Sequence, residues 1–536
     1  MTEFDPLSPD TVLPNVLRER ARERPDAVFL RDLHRGTVLT YAAFDAEVAA
    51  WAARLAGLGV QPGEAVVTVL PSCPDAISLW IAAARIGAVE VPLNSGYQGN
   101  LLAHMIGNAA ASVVVTCEEH LDGVLAVRES LPELRTVVLV DGPGRPGPLP
   151  IVGRAEITGP EVPPRTAGPW DLACVLYTSG TTGPSKGVMV PWAQVLQTVL
   201  GCFPPEGFTD ADHWYVPYPL FHMSGLLCVA GAALHGAEAV IRPKFSLSRF
   251  WSDVDTHGCT TALLIGTVPQ LLQSRPPEPG DADHALRNVQ IAPMPANAPE
   301  FGARFGVRIS TVFNMTEISS PIHTGWTYAP AGAVGRQRPG YQVRIVDEHD
   351  REVPAGTIGE IIVRADLPWV LNVGYWRMPD KTAEAWVHGW FHTGDAGFVD
   401  EDGYFYFVDR RKDAIRCKGE NISSMELEAE IGHCPGVREV AVIGVKADLG
   451  EEDVAAFVVP DGDLDPAAVH AFCRDRLPVF MVPRYVVLLD SLPKTPTEKV
   501  RKPALREAWE KTEGVWDAQS GAALEPGFAA DARRSS

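Results

Sequence analysis

The sequence predicts an α/β protein whose parallel sheets are covered by helices, followed by a smaller α+β unit. Three observations carry this. Runs rich in valine and isoleucine alternate with helical stretches, the pattern of βαβ units that build parallel sheets. A chain of 536 residues is too long for one compact core and divides into at least two domains. Strand and helix patterns also begin afresh after the basic cluster near Arg411.

Taken in order, residues 41–59 place Phe44, Val48, Trp51, Leu55 and Leu58 at helical spacing, with Gly57 and Gly59 at the stop. AVVTVL (65–70) reads as a buried strand, ISLWIAAARIGA (77–88) as a helix and VEVPL (89–93) as a strand. The Pro/Gly-rich stretch 141–170 reads as a loop leading into the strand LACVLYT (172–178). Val216 to Ala237 carries no Asp, Glu, Lys or Arg and imitates a membrane span, yet Pro217, Pro219, His222 and His235 favour a buried strand-turn-helix passage. GEIIVRAD (359–366) and GYFYFVDR (403–410) are short strands of a meander or small barrel. In the second unit ELEAEIG is a helix, EVAVIGV and DVAAFVVP are strands, and DPAAVHAFCRDRL is a helix. From about residue 512 the chain reads as a loose tail. These boundaries give domains at 1–410 and 411–536.

Composition narrows the function classes. Asp and Glu number 67 against 46 Lys and Arg, a formal charge of -21, which repels nucleic acid and anionic membranes. Nine cysteines without a CxxC pair give neither a disulfide framework nor a zinc site. The acidic start MTEFDPLSPD has no basic n-region or apolar h-region, so a cytoplasmic enzyme, monomeric or homodimeric, is the expectation.

The chemistry concentrates in YTSGTTGPSKGV, Tyr177 to Val188. Gly180, Gly183 and Gly187 allow close backbone approach to a ligand. Thr178, Ser179, Thr181 and Thr182 add hydroxyls, and Lys186 adds a cation. Together these suit a polyphosphate. A Walker A loop ends in Gly-Lys-Ser/Thr, whereas the order here is Ser185-Lys186-Gly187, so this is not a P-loop NTPase. By composition alone an ordinary Ser/Thr/Gly-rich surface turn fits equally well.

This segment and five motifs that follow it resemble those of the adenylate-forming superfamily, which contains acyl-CoA synthetases, peptide-synthetase adenylation domains and firefly luciferase. The texture is nearest to crotonobetaine/carnitine-CoA ligase-like enzymes. The resemblance runs from about residue 40 to residue 503 and implies a large N-terminal domain with a small barrel and a mobile C-terminal domain. It makes residues 177–188 the phosphate loop. FHMSG (221–225) places His222 beside the carboxylate pocket, where amino-acid-activating relatives carry Asp. In FNMTE (313–317), Phe313 is implied to stack on adenine, Thr316 to bond the α-phosphate and Glu317 to bind Mg2+, while Asn314 stands where glycine is usual. The segment APMPA (292–296) likewise departs from a Gly-rich pattern.

WFHTGD (390–395) supplies Asp395 for the ribose hydroxyls. DRRKDAIRCKGENIS (409–423) matches the hinge motif, with Arg410 as the nucleotide-contacting arginine and Lys412 as the pivot; Arg416 and Gly419 would border a pantetheine tunnel. Asp409 and Glu498 replace usual glycines. In LPKTPTEKVRK (492–502), Lys499 is implied to bridge the acid's carboxylate and the α-phosphate.

The resemblance therefore implies ATP, Mg2+ and CoA as reactants. A carboxylate would be converted to an acyl-AMP and passed to CoA. A second expectation keeps adenylation but changes both partners: nitrite is activated and handed to an aromatic amine without CoA, a diazotase. Asn314 and the altered 292–296 segment suit a small polar anion.

Overall fold

The computed structural model describes residues 4–178, 184–265, 268–273, 275–292, 294, 297–410, 414–417, 420–447, 451–493 and 500–524. The chain forms two compact units. One comprises Met1–Ser95, Met105–Tyr177 and Gly187–Arg411; the other comprises Gly96–His104, Thr178–Lys186 and Lys412–Ser536.

In the first unit a seven-stranded sheet has the order Ile151–Gly153, Thr136–Leu139, Val113–Thr116, Ala65–Val69, Val89–Pro92, Leu172–Thr178 and Lys186–Pro191. Its first six strands are parallel. Ala65–Val69 and Val113–Thr116 are buried along their whole length, which explains their continuous apolar runs: both faces of such a sheet are covered. A second seven-stranded sheet runs Arg308–Ser310, Asn288–Ala292, Thr261–Ile265, His213–Val216, Glu238–Ile241, Val28–Asp32 and Val38–Thr40. Only its last pair is antiparallel.

Residues from both sheets share one apolar core with the helices Tyr41–Gly57, Pro74–Ile86, Trp192–Cys202 and Met223–His235. Trp80 and Trp192 stack within it at 5.2 Å between centroids, and Trp80 donates its indole N–H to the Ala173 carbonyl at 2.9 Å. A sheet-to-helix bond of this kind fixes the strand Leu172–Thr178.

The third element is an eight-stranded sheet that includes Val312–Phe313, Ala333–Gln337, Gly359–Ala365, Trp390–Val399 and Phe405–Arg410. Its strand pairs are antiparallel.

The second unit holds a hairpin, Ala414–Cys417 with Glu420–Ser423, and a five-stranded sheet beginning with Val437–Lys446 and Glu452–Pro460. The early segment Gly96–His104 packs with it through Leu101, which is buried in one cluster with Ile415, Ile422 and Leu427.

Two sequence expectations are corrected. The tail is not loose from residue 512: Val515–Asp517 pairs with Tyr485–Leu488, and Ala522–Ala523 closes the sheet. Val515 is buried and the Trp516 ring lies against His470, so apolar burial overrides a turn-like composition. The stretch 141–170 is not all loop, because Ile151–Gly153 pairs in parallel with Thr136–Leu139 as an edge strand. Val216 to Ala237 does form a strand end and the buried helix Met223–His235. Among the described residues no helix is long and apolar enough to cross a membrane. All nine cysteines are buried, and no disulfide joins them.

Candidate active site

Strand Leu172–Thr178 ends at the phosphate-loop motif, and strand Lys186–Pro191 returns from it in the same sheet. Tyr177, at the entry, donates its hydroxyl to the Met105 carbonyl (3.1 Å) and to Asn108 Oδ1 (2.6 Å). Thr178 is half-buried, and its Oγ1 is buried without a partner among the described residues. Ser179, Gly180, Thr181, Thr182 and Gly183 lie outside the described residues. Lys186 is half-buried and opens the return strand.

Gly187 shows why this strand tolerates no side chain there. A Cβ would sit 2.7 Å from Val175 Cγ1 and 3.2 Å from Tyr177 Cζ. Ser185, just before it, is buried and donates both its N–H and its hydroxyl to Glu426 Oε1. Its carbonyl is bonded to His104 Nε2 at 3.1 Å. Burial pushes the Glu426 carboxyl up to about 7, partly opposed by the Ser185 bonds.

The return strand also builds the carboxylate site. Trp376 N–H donates to the Gly187 carbonyl (2.7 Å), Met189 N–H to Gly374 (3.0 Å) and Val373 N–H to Met189 (3.2 Å), with Val188 bridged antiparallel to Tyr375. This fixes Tyr375, whose hydroxyl donates to Glu317 Oε1 at 3.1 Å. Both side chains are buried. Burial first, then the Glu317 charge, pushes the Tyr375 phenol far above its ordinary range, so it acts as a donor. Glu317 Oε2 has no partner among the described residues.

The main chain of this motif is held from outside. Gln194, in helix Trp192–Cys202, donates to the Thr316 carbonyl at 2.8 Å. Asn372 donates its backbone N–H (3.1 Å) and Nδ2 (2.9 Å) to the Glu317 carbonyl. Arg338, nearly buried, donates to the carbonyls of Gln197, Ser319 and Ser320, each at 3.0 Å, and its pKa is lowered by desolvation. None of these supports, nor the bond between Ser185 and Glu426, was singled out from sequence, because each joins residues far apart in the chain.

The antiparallel sheet gathers three further predicted residues. Phe313 is buried, its ring 6.3 Å from that of Phe407. Asp395 is buried on Trp390–Val399 and pairs in register with Arg410. Asp395 N–H donates to Thr393 Oγ1 at 3.1 Å. His222 precedes helix Met223–His235, half-buried, with its ring edge-on to Phe221 at 5.2 Å. Asn314 accepts the Ser320 N–H on Oδ1 at 3.2 Å.

Arg416 is exposed on the hairpin, its N–H donating to Glu452 Oε2 at 2.9 Å. Lys412, Gly419 and Lys499 lie outside the described residues. The structure thus places Phe313, Asn314, Thr316, Glu317, Asp395 and Arg410 in the first unit.

Mg2+ fits this donor set. It accepts hard oxygen ligands and is usually bound through one or two carboxylates plus substrate phosphates, and Glu317 offers one anchored carboxylate. Among the described residues no three His, Cys, Asp or Glu side chains form an all-protein cage.

Within the first unit, a Thr-Glu pair whose main chain is held by Gln194 and Asn372 and whose carboxylate is held by Tyr375 is an arrangement that suits an enzyme handling a phosphate-bound cation. The chain belongs to the AMP-binding enzyme family, whose profile matches residues 17–376, with that of the AMP-binding enzyme C-terminal domain matching 426–499. It is similar to sulfoacetate–CoA ligase of Cupriavidus necator, 31% identical over 495 residues that cover 90% of this chain and 95% of that protein. It is also similar to crotonobetaine/carnitine–CoA ligase of Salmonella typhimurium, 30% identical over 486 residues, 87% and 93% of the two chains. Among solved structures, an amide bond synthetase from Marinactinospora thermotolerans superposes with a TM-score of 0.79 at 27% identity, covering 92% of this chain and 99% of that one.

Proposed function

We propose that this enzyme converts a carboxylic acid and ATP into an acyl-adenylate and pyrophosphate, then transfers the acyl group to CoA with release of AMP. The observation that carries the first step is the buried Glu317, fixed by Tyr375 and Asn372 next to Thr316. The two relatives named as CoA ligases support CoA as acceptor.

In the first step a carboxylate oxygen attacks the α-phosphorus and the bond to pyrophosphate breaks. Two anions meet, so the barrier is chiefly electrostatic, and fixed positive and donor groups lower it. Lys499 bridges carboxylate and α-phosphate. Thr178 and Thr316 donate to phosphate oxygens, as do Ser179, Thr181 and Thr182 with the backbone at Gly180 and Gly183. Lys186 neutralises phosphate charge. Mg2+, held by Glu317, would supply Lewis-acid neutralisation when bound. Phe313 stacks on adenine with Asn314 beside it, Asp395 and Arg410 hold the ribose, and His222 borders the acid.

In the second step the thiol sulfur attacks the acyl carbon, AMP leaves with the bonding pair and the thiol proton passes to solvent. Lys499 has to withdraw, by a turn of the C-terminal domain about Lys412 that presents Arg416 and Gly419 to the pantetheine. Such exchange of contacts at a hinge is an established gating device.

The test is pyrophosphate and AMP release from ATP and Mg2+ over short, medium-chain and aryl acids, with and without CoA, followed by identification of the thioester. Pyrophosphate with every acid tried but no thioester would sink CoA as acceptor. The relatives named as CoA ligases give the nitrite-activating alternative no support.

A further inference from the structure

Residues 372–376 hold Glu317 by its main chain and by its carboxylate. Asn372 brings two donors to one acceptor: its backbone N–H at 3.1 Å and its Nδ2 at 2.9 Å both reach the Glu317 carbonyl. A carbonyl oxygen has two lone pairs, so a single neighbour sets the direction of this peptide unit. From the same segment Tyr375 donates to the Glu317 carboxylate at 3.1 Å.

The Asn372 amide is held at its other end too. Its Oδ1 accepts the Gly374 N–H at 2.9 Å and the Trp386 indole N–H at 3.2 Å, a partner set that only an amide satisfies, with oxygen towards the two N–H groups and nitrogen towards the carbonyl. The bond to Gly374 closes a turn of the kind asparagine forms with the backbone two residues on. Gly374 itself sits at φ 115°, where a Cβ would come 2.7 Å from Thr382 Cγ2. Asn372 is buried, so water does not compete for these bonds.

The segment is also tied to a strand. Val373, Gly374 and Trp376 exchange backbone hydrogen bonds with Met189 and Gly187 of the strand Lys186–Pro191. Glu317 is therefore suspended from that strand through the 372–376 segment, and Asn372 is the residue that grips its main chain. A reacting group misplaced by about 1 Å can cost about 100-fold, so the group that sets this spacing carries functional weight without meeting a ligand.

We propose that Asn372 is a positioning residue for the ATP half of the reaction: it fixes where the Glu317 carboxylate stands relative to the strand Lys186–Pro191, and through Glu317 it governs the affinity for the divalent cation. The proposal rests on the adenylating function proposed above.

Mn2+ serves as the probe in place of Mg2+. Its binding is measured by electron paramagnetic resonance in the presence of α,β-methylene-ATP, for the unmodified enzyme, Asn372→Leu and Trp386→Phe, with urea unfolding of each protein followed alongside. Asn372→Leu keeps the volume and loses every bond of the amide, whereas Trp386→Phe removes only the indole bond to Oδ1. Asn372→Leu is expected to weaken Mn2+ binding by about 10- to 100-fold, the usual range for removing a group that orients a metal ligand, and Trp386→Phe by about 3-fold, the value of one neutral hydrogen bond. Binding of the analogue without divalent cation should be unchanged in both, which a general loss of structure would not leave intact. Unchanged Mn2+ affinity in the folded variants, or a loss of the same size without the cation, overturns this proposal alone. Should Asn372→Leu not fold, Trp386→Phe decides by the same two measurements. Absence of pyrophosphate release by the unmodified enzyme with every acid, with or without CoA, overturns the adenylating function and the proposal together.

Discussion

Tyr375 donates its hydroxyl to Glu317 at 3.1 Å, and both residues are buried. The bond orients one carboxylate oxygen while the other remains available for a cation. Tyr375→Phe removes a hydrogen bond to a charged group, worth about 1.5–3 kcal/mol. The expected result is a fall in kcat/KM for ATP of about 10- to 100-fold, with saturation at higher Mg2+. Pyrophosphate release measured across a Mg2+ titration checks this; an unchanged Mg2+ curve would show that the phenol does not tune Glu317.

Lys499→Ala separates the two half-reactions. Adenylation should fall by at least about 100- to 1000-fold, as for loss of a main electrostatic group. Thioester formation from supplied acyl-adenylate and CoA should persist. Equal loss of both steps would refute the division of labour.

Gly187→Ala forces a methyl group to 2.7 Å from Val175. Overpacking of this kind costs about 1–3 kcal/mol, and the displaced strand carries the partners of Gly374 and Trp376. Urea unfolding should register the loss, and ATP binding should weaken with it. A variant as stable as the parent would mean that the strand yields freely.

Glu90 gives a pH signature. It is buried and accepts the Thr68 hydroxyl at 2.9 Å. Burial raises its pKa from the ordinary 4.5 to about 8, with the Thr68 bond opposing. The folded state therefore holds a proton that the unfolded chain releases, so this stability is full below about pH 4.5 and is lost as pH rises through about 8. Relative to Glu90→Gln, the parent should weaken progressively over that window. Parallel melting temperatures of the two proteins across it would contradict the assignment.

Much of the fold was legible because local pattern and burial agree. Strand LACVLYT was read at its observed limits, Leu172–Thr178, since its flanks are turn-forming and its centre is fully apolar. The positions of Phe313, Glu317 and Asp395 within the first unit likewise follow from motifs whose residues are adjacent in sequence. Their supports were not legible. Gln194 reaches Thr316 across 122 positions, and Asn372 reaches Glu317 across 55; neither side chain differs in type from any solvent-facing amide. The strand Val515–Asp517 was missed for a related reason, because three residues among Gly, Glu and Ala become a strand only when a neighbouring edge supplies the hydrogen bonds.

The peptide unit joining Ser319 to Ser320 touches Arg338 with its oxygen and Asn314 with its hydrogen, over 3.0 and 3.2 Å. A cation drawing on the oxygen end of a peptide leaves the N–H end more acidic, and hydrogen bonds in series polarise one another. The guanidinium is thus felt two bonds away, as increased proton-donor strength at the outer nitrogen of the Asn314 amide. A largely buried arginine thus lends part of its charge, through one peptide unit, to a neutral side chain it does not touch.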